Sequence, residues 1–150
     1  MSRENDFYGV LNGDATLLTT LTGGIYKVES IGISGISRDV APAAYDADGF
    51  LLPCALIRER SFVPDGVLRD TMAKQLTARQ VVEVYLYEDR TYTAIDTAKA
   101  RVIALLMGYQ FADSFELELA NIVPRLRDPE GPVTNASMER LDWVVDSVYG

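Results

Sequence analysis

Two pairs of carboxylates, one pair of glycines and one cysteine have the types and spacing that chemistry uses. Glu116 and Glu118 stand two apart in "SFELEL", and paired carboxylates can divide the acid and base roles of a hydrolysis. Asp46 and Asp48 belong to "DADG", which matches part of a calcium loop. Gly23-Gly24 sits in "LTGGIYKV", and glycine-rich turns are where a backbone cradles phosphate. Cys54 is the single cysteine, and the chain has no histidine.

Each of these has a plainer reading. An EF-hand loop needs a Glu six residues past its Gly, and position 55 is Ala; Asp46 and Asp48 read as a solvated turn. A Walker loop follows a strand, ends in Gly-Lys-Ser/Thr and opens a helix. Here a helical stripe precedes the glycines and a strand-like run follows. Gly23-Gly24 therefore reads as a helix stop, with glycine in the left-handed conformation that closes the last turn. Glu116 and Glu118 read as the solvated side of a strand, placed to pair across strands with Arg58 and Arg60. Across a subunit boundary such pairs set register more than affinity. Cys54 lies in the apolar run "LLPCALI" and reads as a buried, inert thiol. Without histidine the commonest general base and metal ligand is missing. No catalytic residue, metal or cofactor is expected, and "NAS" at 135–137 carries no weight as a glycosylation acceptor.

The elements that must position these residues follow from periodicity. Phe7, Val10 and Leu11 mark a first helix, Gly13 interrupts, and Asp14 caps a second helix built on Leu17, Leu18 and Leu21. "IYKVES" (25–30) reads as a strand. Residues 31–52 read as a long loop with a short hairpin inside, and loops of this length are usually functional or mobile. "CALIRERSF" (54–62) reads as a strand and "VPDG" (63–66) as a turn. In "QVVEVYLY" (80–87), Val82, Val84 and Leu86 face one way and Glu83, Tyr85 and Tyr87 the other. A helix follows over 93–107, with Thr93 as cap and Ile95, Ala98, Val102, Leu105, Leu106 and Tyr109 on its apolar face. Lys99 and Arg101 project from it as a solvated face. Residues 114–123 alternate, with Phe115, Leu117 and Leu119 in and Ser114, Glu116 and Glu118 out. "RDPEGP" (127–132) is a turn. Leu141, Trp143 and Val145 form the inner face of a last strand.

The order of elements predicts an α+β fold. A mainly antiparallel sheet of about five strands has the N-terminal helices and one central helix on one face. At 150 residues the chain is one domain, 1–150, with a core and no linker. Its net charge of −8 repels nucleic acid and disfavours anionic membranes. No run approaches a membrane span, and the opening "MSRENDFYG" lacks the apolar segment of a secretion signal. The expectation is a soluble protein made in a cytoplasm. The eight tyrosines are a mild interface signal, because Tyr combines apolar area with a polar tip. Tyr85 and Tyr87 lie either at such an interface or beneath a helix.

With these elements laid out, the chain resembles the tail-component family of long-tailed bacteriophages. The resemblance runs through "GDATLLTTLTGGIYKV", then "VVEVYLYEDR" leading into "AIDTAKARVIALL", then the closing "RLRDPEGPVTNASMERLDWVVDSV". Pro53 corresponds to a proline early in the family's second strand, while the segment 31–52 departs from its shorter members. The resemblance implies a tail terminator, a virion structural protein of the neck and not an enzyme. Such a protein forms a homo-oligomeric ring, usually of six copies, that caps the tail tube and joins it to the head. Its partners would be the tail tube protein and a head-completion protein, with assembly in the host cytoplasm and no membrane. DNA would pass through the lumen without specific binding, past an acidic surface that includes Glu116 and Glu118. The loop 31–52 would be an arm toward a neighbour or the tube. Interface or lumen candidates are Glu116, Glu118, Arg58, Arg60, Tyr85, Tyr87, Asp46 and Asp48. The alternatives are a head-completion (stopper or adaptor) protein of the same neck, or a small α+β ligand-binding domain or enzyme.

Overall fold

A computed structural model describes the backbone of residues 3–69, 74–127 and 136–149, and the side chains of residues 3–60, 78–124 and 136–147. The chain begins with α1 (Arg3–Asn12) and α2 (Ala15–Thr20). Asp14 caps α2 as its sequence position predicts: its carboxylate accepts the Leu17 N–H at 2.9 Å. Phe7, Leu11, Leu17 and Leu21 are all buried. Helices this short persist only through such packing.

The glycine pair joins α2 to the sheet. The helix already closes at Leu21, whose N–H reaches the Leu17 carbonyl. Gly24 then takes a left-handed φ of 93° and donates back to Leu21 O at 3.0 Å. Gly23 lies against the backbone of residues 52–54, where a Cβ would come within 3.0 Å of Pro53 O. The chain proceeds into β1 (Ile25–Lys27), which is shorter than predicted because residues 28–31 coil into α3 (Val28–Ile31). The cause is distant in sequence: Glu4 accepts the Glu29 N–H at 2.8 Å and satisfies an orphan donor of that turn.

Three long strands follow: β2 (Cys54–Arg69), β3 (Lys74–Asp89) and β5 (Ala136–Tyr149), with α4 (Thr93–Leu106) and β4 (Glu118–Arg127) between the last two. The sheet order is β1-β2-β3-β5-β4. β1 runs parallel to β2 and every other pair is antiparallel. This is the α+β fold that the sequence predicts. The predicted turn "VPDG" is instead part of β2: Pro64 pairs with Ala78 and Gly66 with Thr77, with a bulge between them. β1 pairs only with residues 55–57, so Pro64 lies on an open edge where its missing N–H breaks no ladder. The predicted turn at 127–132 lies, after Arg127, outside the described residues.

One face of the sheet carries Ala55, Ile57, Val82, Val84, Leu86, Leu141, Trp143 and Val145, and packs against α1, α2 and α4 in the main core. The opposite face carries Cys54, Leu56, Tyr87 and Met138 in a second cluster, covered by Ile36, Ala41, Ala44 and Leu51 of the long loop. That loop holds a 3-10 turn at Pro42–Ala44 and a small hairpin in which Tyr45 faces Leu51. It thus packs on the sheet as a lid, with Ile33, Val40 and Phe50 left exposed. Tyr85 and Tyr87 stack at 6.1 Å. Tyr87 belongs to this second cluster and Tyr85 packs against it, as do Val28 and Ile31 of α3.

Thr93 does not cap α4. The Glu88 carboxylate does, accepting the N–H groups of Ala94 and Ile95 at 2.9 and 3.1 Å. Gly108, at φ 74°, ends the helix region. Both sheet edges are interrupted. β1 has three residues, and β4 bulges at Leu119/Asn121 and again at Val123/Leu126, around Pro124.

Candidate assembly surface

The sheet face that carries the second cluster turns polar beyond the loop. Register aligns Arg58, Glu83, Asp142 and Asn121 across four strands. Glu83 is only 1% exposed. The Tyr85 hydroxyl donates to its Oε1 at 3.1 Å, Arg140 Nε lies 3.1 Å from Oε2, and Arg60 Nε lies 3.7 Å from Oε1. Arg140 also holds Asp142 through two bonds of 2.8 and 3.2 Å. Burial, and then the neighbouring Glu83 carboxylate, raises the Tyr85 phenol above its ordinary value. Burial works against the Arg140 cation, but Asp142 and Glu83 outweigh it and the guanidinium is raised. Further along, Arg79 grips Asp146 at 3.0 and 3.3 Å. Arginines and carboxylates alternate here, so this face projects no large field of one sign.

The predicted pairing of Glu116 and Glu118 with Arg58 and Arg60 is not made within the chain. β3 and β5 separate β2 from β4, and Arg60 turns to Glu83. Glu116 and Glu118 instead line an open groove of about 360 Å³ with Gln110, Phe115 and Asp146. Among the described residues neither carboxylate has an ion-pair partner. The groove is built by the segment after α4. Gly108 and Leu117 bond across it at 3.1 Å, Leu117 reaches Tyr109 O at 2.7 Å, and Gln110 bridges to Glu116. This local hairpin sets the alternation before β4 begins. Ser114 and Leu117 are buried, while Phe115, predicted to face in, is 55% exposed. Tyr109 likewise leaves the apolar face predicted for it, because the left-handed turn at Gly108 redirects the chain. Met107, Tyr109 and Phe115 are exposed apolar side chains of this segment, and Phe115 lines the groove.

Lys99 and Arg101 are not a solvated helix face. Lys99 Nζ lies 3.0 Å from the buried Glu139 carboxylate. Arg101 binds Asp14 through bonds of 2.8 and 2.7 Å, tying α4 to the cap of α2. The hydrogen bond from Arg101 holds the Asp14 carboxyl down at about 2.

Sequence reading misses the N-terminal junction altogether. The buried Arg3 guanidinium reaches Asp6 at 2.9 Å, Asp113 at 2.8 Å and Ser147 Oγ at 2.6 Å, and lies 5.5 Å over the Phe111 ring. Its hydrogen bond holds the Asp113 carboxyl below the usual carboxylate range. No periodic signal marks an arginine at the start of a helix as buried; the only hint is the placement of Asp6 three residues on.

Asp46 and Asp48 form a turn, not a cation loop. Asp46 Oδ1 accepts the N–H groups of Asp48 and Phe50, each at 2.9 Å. Arg38 closes the same loop by donating to Gly49 O at 2.8 Å. Among the described residues no group of three metal-ligating side chains converges, and no helix is long and apolar enough to cross a membrane. Burial pushes the Cys54 thiol up to about 12, in keeping with an inert core residue.

No protein-family model matches the chain, and no curated protein matches it. Among solved structures it is similar to a chain from the virion of a native gene transfer agent particle. The two share 12% identity at a TM-score of 0.57, over 97% of this chain and 94% of the other. Likeness at this identity establishes a common fold along nearly the whole length of both chains.

Proposed function

We propose that the chain is a structural protein of a phage-like virion and acts as a tail terminator. Copies close into a ring, six being the number the resemblance implies, that caps the tail tube and offers a surface to the head-completion protein. The observation that supports this best is the end-to-end fold likeness to a chain of a gene transfer agent virion. The two sheet faces agree with a structural role: one is filled by helices, the other by a packed loop and an ion-pair lattice. The net charge of −8 favours passage of DNA without binding. On this reading Arg58, Arg60, Glu116, Glu118, Tyr85, Tyr87, Asp46 and Asp48 serve contacts between subunits or with the lumen, and assembly takes place in the host cytoplasm.

The test is to produce tail tubes with and without this protein and image them. Tubes of controlled length carrying a ring at one end are expected with it, and overlong uncapped tubes without it. A ring found on the head-side connector alone would assign the chain to head completion. Tubes unaffected in length and bare at both ends would end the reading.

A further inference from the structure

The loop over residues 33–52 rests on the sheet through apolar contact. Ile36, Ala41, Ala44 and Leu51 cover Cys54, Leu56, Tyr87 and Met138. Two of these four covering side chains are alanines, so little apolar area holds the loop down. Its hydrogen bonds close on the loop itself. The Ala41 N–H reaches Ser37 O at 2.8 Å, the Asp46 N–H reaches Phe50 O at 2.9 Å, and the Leu52 N–H reaches Ala44 O at 2.8 Å. Arg38 donates to Gly49 O at 2.8 Å. Where the loop begins, the Gly35 N–H turns back onto Gly32 O at 3.2 Å. Among the described residues, no other hydrogen bond and no ion pair ties residues 33–52 to the rest of the chain. The remaining polar tie is the Arg90 guanidinium, 5.8 Å over the Phe50 ring, and both side chains are exposed to water.

One buried group opposes this closure. The Tyr45 hydroxyl is sealed from water and has no hydrogen-bond partner among the described residues, and burial raises its phenol above the ordinary value. A buried hydroxyl left unpaired costs its hydration, which opening restores. Within the loop, the 3-10 turn at Pro42–Ala44 and the Tyr45–Leu51 hairpin provide a shape that does not depend on the sheet. At its start Gly32 and Gly35, at φ of 94° and 82°, are two glycine joints about which that shape can swing. Segments with few buried apolar contacts and self-contained bonding open at the low end of a protein's stability range.

We infer that residues 33–52 are a lid that opens as one unit while the sheet and helices stay folded, uncovering Cys54, Leu56, Tyr87 and Met138. The main core, with α1, α2 and α4, lies on the other face of the sheet and is left intact. Closed, the lid hides these four side chains. Open, it bares an apolar surface beside the polar network of Tyr85, Glu83 and Arg140. The lid therefore decides how much apolar area this face shows. It does not depend on the ring reading proposed above.

Cys54 is the single cysteine and is buried beneath the lid, so its labelling by an aromatic disulfide reagent reports opening. The full chain is mixed with excess reagent at urea concentrations below the unfolding transition, and global unfolding is followed separately by Trp143 emission and circular dichroism. Labelling is expected at least about tenfold faster than global unfolding allows, with a shallower dependence on urea because opening exposes little surface. Leu51→Ala, which trims the contact of the lid, should speed labelling. Tyr45→Phe, which removes the unpaired hydroxyl, should slow it. Val102→Ala, in α4 on the other face of the sheet, should lower the global urea midpoint and leave labelling in water unchanged. Labelling that matches global unfolding in rate and urea slope overturns the lid. So does a Val102→Ala protein labelled faster in proportion to its lost stability, or a labelling rate that neither loop variant alters. None of these outcomes bears on tail-tube length, so the lid and the terminator reading fail separately.

Discussion

Glu4 and Glu59 cap each other. The Glu59 carboxylate accepts the backbone N–H groups of Arg3 and Glu4, the first of α1, while the Glu4 carboxylate accepts the N–H of Glu59 at 3.1 Å. Two orphan donors at a helix start are thereby satisfied by a strand 55 residues away. Glu4 spends its other oxygen on Glu29, so one side chain joins α1, α3 and β2.

Removing this exchange should act cooperatively. Glu59→Ala is expected to cost about 1–2 kcal/mol, the scale of a lost helix cap. The pair Glu4→Ala and Glu59→Ala should cost less than the two single changes added together, since each removes the same junction. Urea unfolding of the four proteins measures the coupling, and strict additivity would count against a shared junction.

The contact between Asp14 and Arg101 predicts an acid-sensitive stability. The folded carboxyl is held at about 2, below the unfolded value of about 3.9. A depressed carboxyl stabilises the fold above the unfolded value, and this contribution is lost as pH falls toward the folded one. Thermal midpoints of the wild type and Asp14→Asn should therefore differ above about pH 4 and converge near pH 2. Asn retains the capping oxygen, so the difference reports the charge. A gap that persisted unchanged to pH 2 would place the effect elsewhere.

Two glycines should respond oppositely to alanine. Gly9 lies inside α1 with open space around its Cα, and Gly9→Ala is expected to stabilise by about 0.5–1 kcal/mol. At Gly23 the added Cβ meets Pro53 O at 3.0 Å, and Gly23→Ala is expected to destabilise by about 1–3 kcal/mol. Denaturant midpoints decide both signs.

Lys99 neutralises a carboxylate that has no exposed surface. Lys99→Met should cost about 3 kcal/mol, because it leaves the Glu139 charge buried without that cation. Adding Glu139→Gln should restore much of the loss. A double variant no more stable than Lys99→Met would show that the pair contributes little.

Regular elements were legible wherever local pattern and tertiary demand agree. Leu141, Trp143 and Val145 alternate in the sequence and are buried together in the sheet. Ile95, Ala98, Val102 and Leu106 likewise mark the face of α4 that is buried. Legibility failed where a distant group took over a local role. Glu88 replaces Thr93 as the cap of α4, Glu4 turns part of the first strand into a helix, and β3 draws "VPDG" into a ladder. The predicted surface residues fared in the same way. Glu116 and Glu118 are open as expected, but their neighbours are set by a small hairpin after Gly108 that no alternation foretells. The ion pairs of Lys99 and Arg101 depend on which elements pack together, and helical spacing alone cannot specify that.

The interrupted edges have a consequence for growth. A strand edge with an unbroken row of donors and acceptors recruits copies indefinitely, since each addition recreates the same sticky end. One margin of this sheet is a twice-bulged, proline-bearing strand. At the other, β1 covers only residues 55–57 of β2, and Pro64 with the bulges on either side of it breaks the open edge beyond. Margins broken in this way disfavour open-ended, edge-to-edge growth of the sheet.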